Sequence, residues 1–370
     1  MSADLRPAHR LPLLAAGFIA LAFGVGTGLA RMGWQFPLPN PVLLAWHGPL
    51  MIAGFFGIVI SLERAVALAE RWAYAGPLAG ALGALALIAA MPAAAAVLVT
   101  LASLILLAAT LRIFLRQRAL FTLVLVLGAA CWAAGNLLWL TLGSVPAATP
   151  WWVGFLVLTI AAERLELSRF LPPSPGASRV FGIIVAAVIA ALALSLIARD
   201  AGWVALALAF LALTLWLLRQ DIARRTVRER GLTRFIAVCL LSGYGWLGVG
   251  ALVLLVGGTG YGTPAWAAGL HAILLGFVFA MVFGHAPIIF PAVTRAAVPY
   301  HWSFYVPLAL LQLSLALRIA GDLGGLADWR RMGGAGSALA LLLFVAGTVA
   351  AVVRGKLAAR RARESAPPGV

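Results

Sequence analysis

Three of the five histidines, His47, His271 and His285, lie inside apolar stretches, where an ionisable ring has to be given a partner. His47 stands in Trp46-His47-Gly48-Pro49-Leu50-Met51, and His271 and His285 share one later stretch. Neutral imidazole ligates metals, relays protons or satisfies a hydrogen bond. Glu63-Arg64 and Glu163-Arg164 are acid and base pairs that close the His47 stretch and one further apolar stretch. Cys131 and Cys239 sit far apart in apolar runs, without metal spacing or a disulfide framework, and read as small core residues.

The elements that must position these side chains follow from composition. With 64% hydrophobic and 10% charged residues, 370 residues cannot fold as a soluble domain, so the chain is an all-α polytopic membrane protein. Apolar segments run near 11–30, 41–62, 73–91, 93–111, 119–142, 150–170, 179–198, 201–218, 233–257, 263–293, 302–320 and 333–353. They predict twelve transmembrane helices in a single domain over 1–370, with a basic C-terminal tail from 354 to 370. With both termini cytoplasmic, 22 of the 27 Lys and Arg residues fall on the inner side, and only Arg31, Arg199, Arg318, Arg330 and Arg331 fall outside. The net charge of +16 thus orients the chain and meets anionic lipid, and nucleic acid is not needed.

Gly54-Phe55 is followed by Glu63, Gly154-Phe155 by Glu163 and Gly276-Phe277 by His285, each nine residues after the glycine. Spans two, six and ten therefore repeat, over 46–64, 150–170 and 263–293, which predicts a bundle with pseudo-threefold symmetry. His47 and His271 lie about two turns inside the outer ends of their spans, so they can face each other and supply both axial ligands of a haem iron. Arg330-Arg331, in the loop before the last span, can take up the haem carboxylates.

His47-Gly48-x-x-Met51-Ile52 resembles the second helix of subunit I of the haem-copper oxidases, whose histidine ligates the low-spin haem. His271 and Arg330-Arg331 are similar to that family's second ligand and propionate-binding arginine pair. That resemblance implies the oxidase-like twelve-helix bundle. Trp46-His47-x-x-x-Met51-x-x-Gly54-Phe55 and His271-Ala272-x-x-x-Gly276-x-x-x-x-Met281 resemble the two histidine segments of the NnrS family of bacterial membrane proteins. This second resemblance implies a haem b protein with a role in redox or nitric oxide metabolism, and copper is associated with that family.

The chain also departs from both patterns. Spans six and seven hold no histidine and Gly269 stands two before His271, so the ligands of an oxidase binuclear centre are missing and no enzyme activity of that kind is expected. Pro49 and Leu50 stand where an NnrS-like segment carries a second histidine and a glutamate, which weakens the case for copper. Met51 and Met281 lie four residues from His47 and His285, a spacing that shares a helix face and suits copper(I), though core methionine is commoner. Glu63, Arg64, Glu163, Arg164 and His285 form an expected inner-leaflet cluster. A proton-coupled or ion transporter using that cluster is the alternative function, and a structural subunit that binds nothing is a third. For the haem protein, the expected partners are the lipid bilayer, an electron-donor protein or quinol, and nitric oxide. The expected location is the bacterial cytoplasmic membrane.

Overall fold

The computed structural model describes residues 4–168 and 176–364, with side chains of the last helix as far as Gly355. Arg169, the end of the second repeat unit and the last six residues of the basic tail lie outside the described residues. The main elements of the described chain are all helices: α1 Pro7–Ala30, α2 Pro41–Leu68, α3 Ala75–Ile88, α4 Pro92–Arg116, α5 Leu120–Leu142, α6 Val145–Ser168, α7 Ala177–Leu194, α8 Arg199–Gln220, α9 Gly231–Gly257, α10 Pro264–Thr294, α11 Trp302–Gly324 and α12 Ala327–Glu364. Eleven of these are long and apolar enough to cross a bilayer. The other, α3, has 14 residues and spans about 21 Å, short of a hydrocarbon core of about 30 Å. Pro92 starts a new helix after Ala90 takes a left-handed backbone, which is why the apolar run from 73 to 111 divides where it does.

The two helices that carry His47 and His271 begin alike. Asn40 accepts a hydrogen bond from the Val42 amide ahead of Pro41, and Thr263 from the Trp266 amide ahead of Pro264. Each is a side-chain cap followed by a proline in the first helical position, where no amide hydrogen is needed. Both helices then leave the α form for one seven-residue π-helical stretch, Leu50–Phe56 in α2 and Ala272–Val278 in α10.

The most enclosed helix is α6, with 72% of its apolar window buried, against 33% for α7 and α12. Its Trp152 and Phe155 are fully buried, and it touches the π-helical part of α10. Helices α11 and α12 form a tight hairpin turned at Gly325, whose φ is +67°. A Cβ on Gly333 would lie 2.5 Å from the Arg318 amide nitrogen, so only glycine lets the two backbones approach this closely. That approach brings Arg318, Asp322 and Arg330 together at the end of the bundle where the caps of α2 and α10 lie.

Candidate functional site

His47 and His271 face each other across a cavity of about 240 Å³, with ring centres 6.2 Å apart and ring planes 14° from parallel. His47 Nδ1 lies 2.7 Å from the Gly24 carbonyl of α1, and His271 Nδ1 lies 2.7 Å from the Ala267 carbonyl one turn back in its own helix. A carbonyl only accepts, so each ring carries its proton on Nδ1 and keeps the lone pair of Nε2 free. Gly28 makes room for this arrangement, because a Cβ there would lie 2.9 Å from His47 Cε1 and 3.0 Å from Nδ1.

Three arginines reach the same cavity: Arg31 from the end of α1, Arg318 from α11 and Arg330 from α12. Asp322, whose side chain is wholly buried, lies 3.0 Å from Arg330 Nε and 3.7 Å from Arg318 Nε. Arg331 points elsewhere. It stacks over the Trp34 ring at 5.3 Å and donates to the Gly33 carbonyl at 3.4 Å. Met51 lines the cavity. On the side toward the middle of the bundle, Phe56 and Phe279 line the cavity, with ring centres 5.0 Å apart, and Phe55 stacks parallel to Phe279 at 5.9 Å. The cavity thus brings one cationic side and one aromatic side to a pair of free imidazole nitrogens.

A second polar group gathers further along the same helices. Arg64 donates to Glu163 at 2.5 Å and to Glu63 at 3.0 Å, while Arg164 donates to His285 Nε2 at 2.6 Å. His285 Nδ1 is 2.6 Å from the Met281 carbonyl, so both nitrogens of this ring are engaged and neither is left for a metal. The Met281 methyl packs where a Gly243 side chain would stand. Close by, the Tyr244 hydroxyl donates to buried Asp221 at 2.9 Å. His285 follows His271 by fourteen residues, so the two polar regions are about 20 Å apart along α10. Among the described residues, no three His, Cys, Asp or Glu side chains come together as a metal-binding group.

Residues 10–353 match the family described as Domain of unknown function (DUF8744). The chain belongs to the DUF8744 family. No curated protein matches it.

Both polar regions of this DUF8744 chain thus lie within the matched residues, His47 and His271 in one and Glu63, Arg64, Glu163, Arg164 and His285 in the other. Sequence reasoning missed Arg31 and Arg318 as cavity residues, the carbonyl of Gly24, the open face of Gly28 and the π-helical stretches. Arg318 carried a signal, since an arginine retained within an apolar span asks for an anionic partner.

Proposed function

We propose that this protein is a haem-binding membrane protein in which His47 and His271 hold the iron of one low-spin haem b. The spacing of the two rings carries the reading. Two imidazoles bound to one metal, with bonds of about 2 Å and roughly 1 Å from nitrogen to ring centre, have ring centres about 6 Å apart. The observed separation is 6.2 Å, with each Nε2 deprotonated by the tautomer that the carbonyls impose. When bound, such a haem supplies reversible one-electron exchange.

The chain's own groups complete the compartment. The carbonyls of Gly24 and Ala267 fix the ring orientations and raise ligand basicity. Arg31, Arg318 and Arg330 are the cations that would take the propionates, in place of an Arg330-Arg331 pair. Phe55, Phe56 and Phe279 keep water from entering through the middle of the bundle. Copper has no place in this reading, since His285 has no free nitrogen to join Met281. The lack of histidine in α6 and α7 leaves an electron-transfer or nitric oxide-responsive role, without an oxidase reaction.

On this reading α3 counts as the twelfth crossing, and α2, α6 and α10 are the equivalent helices of a pseudo-threefold, oxidase-like bundle of the kind that NnrS-like proteins resemble. Both termini lie in the cytoplasm and the arginine-lined end faces the periplasm of a bacterial inner membrane. The electron partner is a donor protein or quinol.

The test is the optical spectrum of the detergent-purified protein before and after dithionite. Sharp α and β bands of a six-coordinate b-type haem are expected on reduction. A preparation that stays colourless through haem reconstitution would overturn the reading.

The assembled cluster of Glu63, Arg64, Glu163, Arg164 and His285 favours a second reading, a proton-coupled or ion transporter. It predicts proton or ion flux in proteoliposomes that Glu163→Gln abolishes. Tight vesicles would rule it out.

A further inference from the structure

Helices α2, α6 and α10 carry the same Gly-Phe pair, and the three copies differ in a way that tracks the histidines. In α2 the pair Gly54-Phe55 forms the fifth and sixth residues of the π-helical stretch Leu50–Phe56. In α10 the pair Gly276-Phe277 forms the fifth and sixth residues of the stretch Ala272–Val278. The two stretches are equal in length and register. In α6, residues 150–156 occupy the same register around Gly154-Phe155 and are α-helical throughout. The two copies that present an imidazole to the cavity are π-helical, the copy that presents none is not, and no other described residue is π-helical.

A π-helical turn holds one residue more than an α turn, and such turns recur at functional sites. Each residue of an α-helix turns the chain by about 100° and advances it by about 1.5 Å. A stretch that holds one residue more per turn therefore leaves its histidine about 100° from where an uninterrupted α-helix of the same residues would aim it, while the inner half keeps its packing. His47 precedes its stretch by three residues and His271 by one. The inner halves are the parts that must stay fixed, since they carry Glu63 and Arg64 in α2 and His285 in α10, all held in the second polar cluster. The widened turns also form cavity wall, through Met51, Ile52 and Phe56 on one side and Leu274 and Leu275 on the other.

We infer that the paired π-helical stretches Leu50–Phe56 and Ala272–Val278 are positioning elements that rotate His47 and His271 into the cavity as a matched ligand pair, independently of the inner cluster. The inference rests on the haem reading above, and the residues concerned act through the two histidines.

The π-helical stretch takes up one residue more than an α-helical stretch of the same turn, so deleting Ala53 lets α2 run as an uninterrupted α-helix with the His47 ring kept in the cavity. In that shortened helix residue 46 points about 100° away from residue 47. Two purified full-length proteins test this by optical and electron paramagnetic resonance spectra: the Ala53 deletion, and the Ala53 deletion combined with Trp46→His and His47→Trp. The first is expected to keep the six-coordinate low-spin signature, which a merely structural need for the widened turn would not allow. The second is expected to lose it. Loss of the low-spin spectrum in the single deletion, or its retention in the variant with the exchanged pair, would overturn the inference. A colourless wild type would instead remove the haem reading itself.

Discussion

The rings of His47 and His271 lie 6.2 Å apart and 14° from parallel, each pinned through Nδ1 to a backbone carbonyl. Near-parallel axial imidazoles split the iron d orbitals strongly, whereas perpendicular planes leave them almost degenerate. The oxidised protein is therefore expected to give a rhombic low-spin electron paramagnetic resonance spectrum with three resolved g values. A single broad signal at very high g would mean that the rings do not keep the orientation observed here.

The three buried histidines separate into two kinds. His47→Ala and His271→Ala each remove a free Nε2 and are expected to abolish the six-coordinate pigment. His285→Ala removes an acceptor from Arg164, with a stability loss of about 1–3 kcal/mol and no loss of pigment. Haem content by pyridine haemochrome and thermal unfolding of the three variants check this. Equal pigment in all three would show that neither His47 nor His271 is a ligand.

Much of this arrangement is legible in the sequence. Matched depth pairs His47 with His271, and the nine-residue spacing from the glycine of each Gly-Phe pair brings Glu63, Glu163 and His285 to one level. Orientation about each helix axis is harder to read. Arg330 and Arg331 look like a pair in sequence, yet consecutive helical residues point about 100° apart, so one reaches the cavity while the other reaches Trp34. Arg318 counts simply as an outer arginine until the close approach at Gly333 folds α11 against α12. The π-helical stretches have no compositional mark at all. Their residues are ordinary apolar ones, and only the tertiary contacts of both helix halves call for the extra residue.

Gly28 offers a graded probe of the His47 position. Its missing Cβ would lie 2.9 Å from His47 Cε1, so Gly28→Ala must push the ring or tilt α1. The expected outcome is weaker haem retention and a shifted Soret band, with the effect larger for Gly28→Val. Gly347→Ala, where a Cβ meets nothing within 4 Å, is the matched control and should leave both properties unchanged. Spectra of the three variants after dialysis against apomyoglobin, which draws off loosely held haem, measure the difference.

Arg318 and Arg331 are expected to part company in a redox titration. In the proposed haem protein, reduction would add one electron to the iron, so a nearby buried cation would stabilise the reduced state and raise the midpoint potential. At roughly 10 Å and an effective dielectric constant of about 20, one unit charge contributes about 1.7 kcal/mol, which corresponds to tens of millivolts for one electron. Arg318 is buried, lines the cavity and is held beside Asp322, so Arg318→Gln should lower the midpoint by that order. Arg331 is exposed and stacks over Trp34 away from the cavity, where water and salt screen its charge, so Arg331→Gln should leave the midpoint nearly unchanged. Equal shifts in the two variants, or a rise in Arg318→Gln, would mean that the arginines of α11 and α12 do not divide their roles in this way.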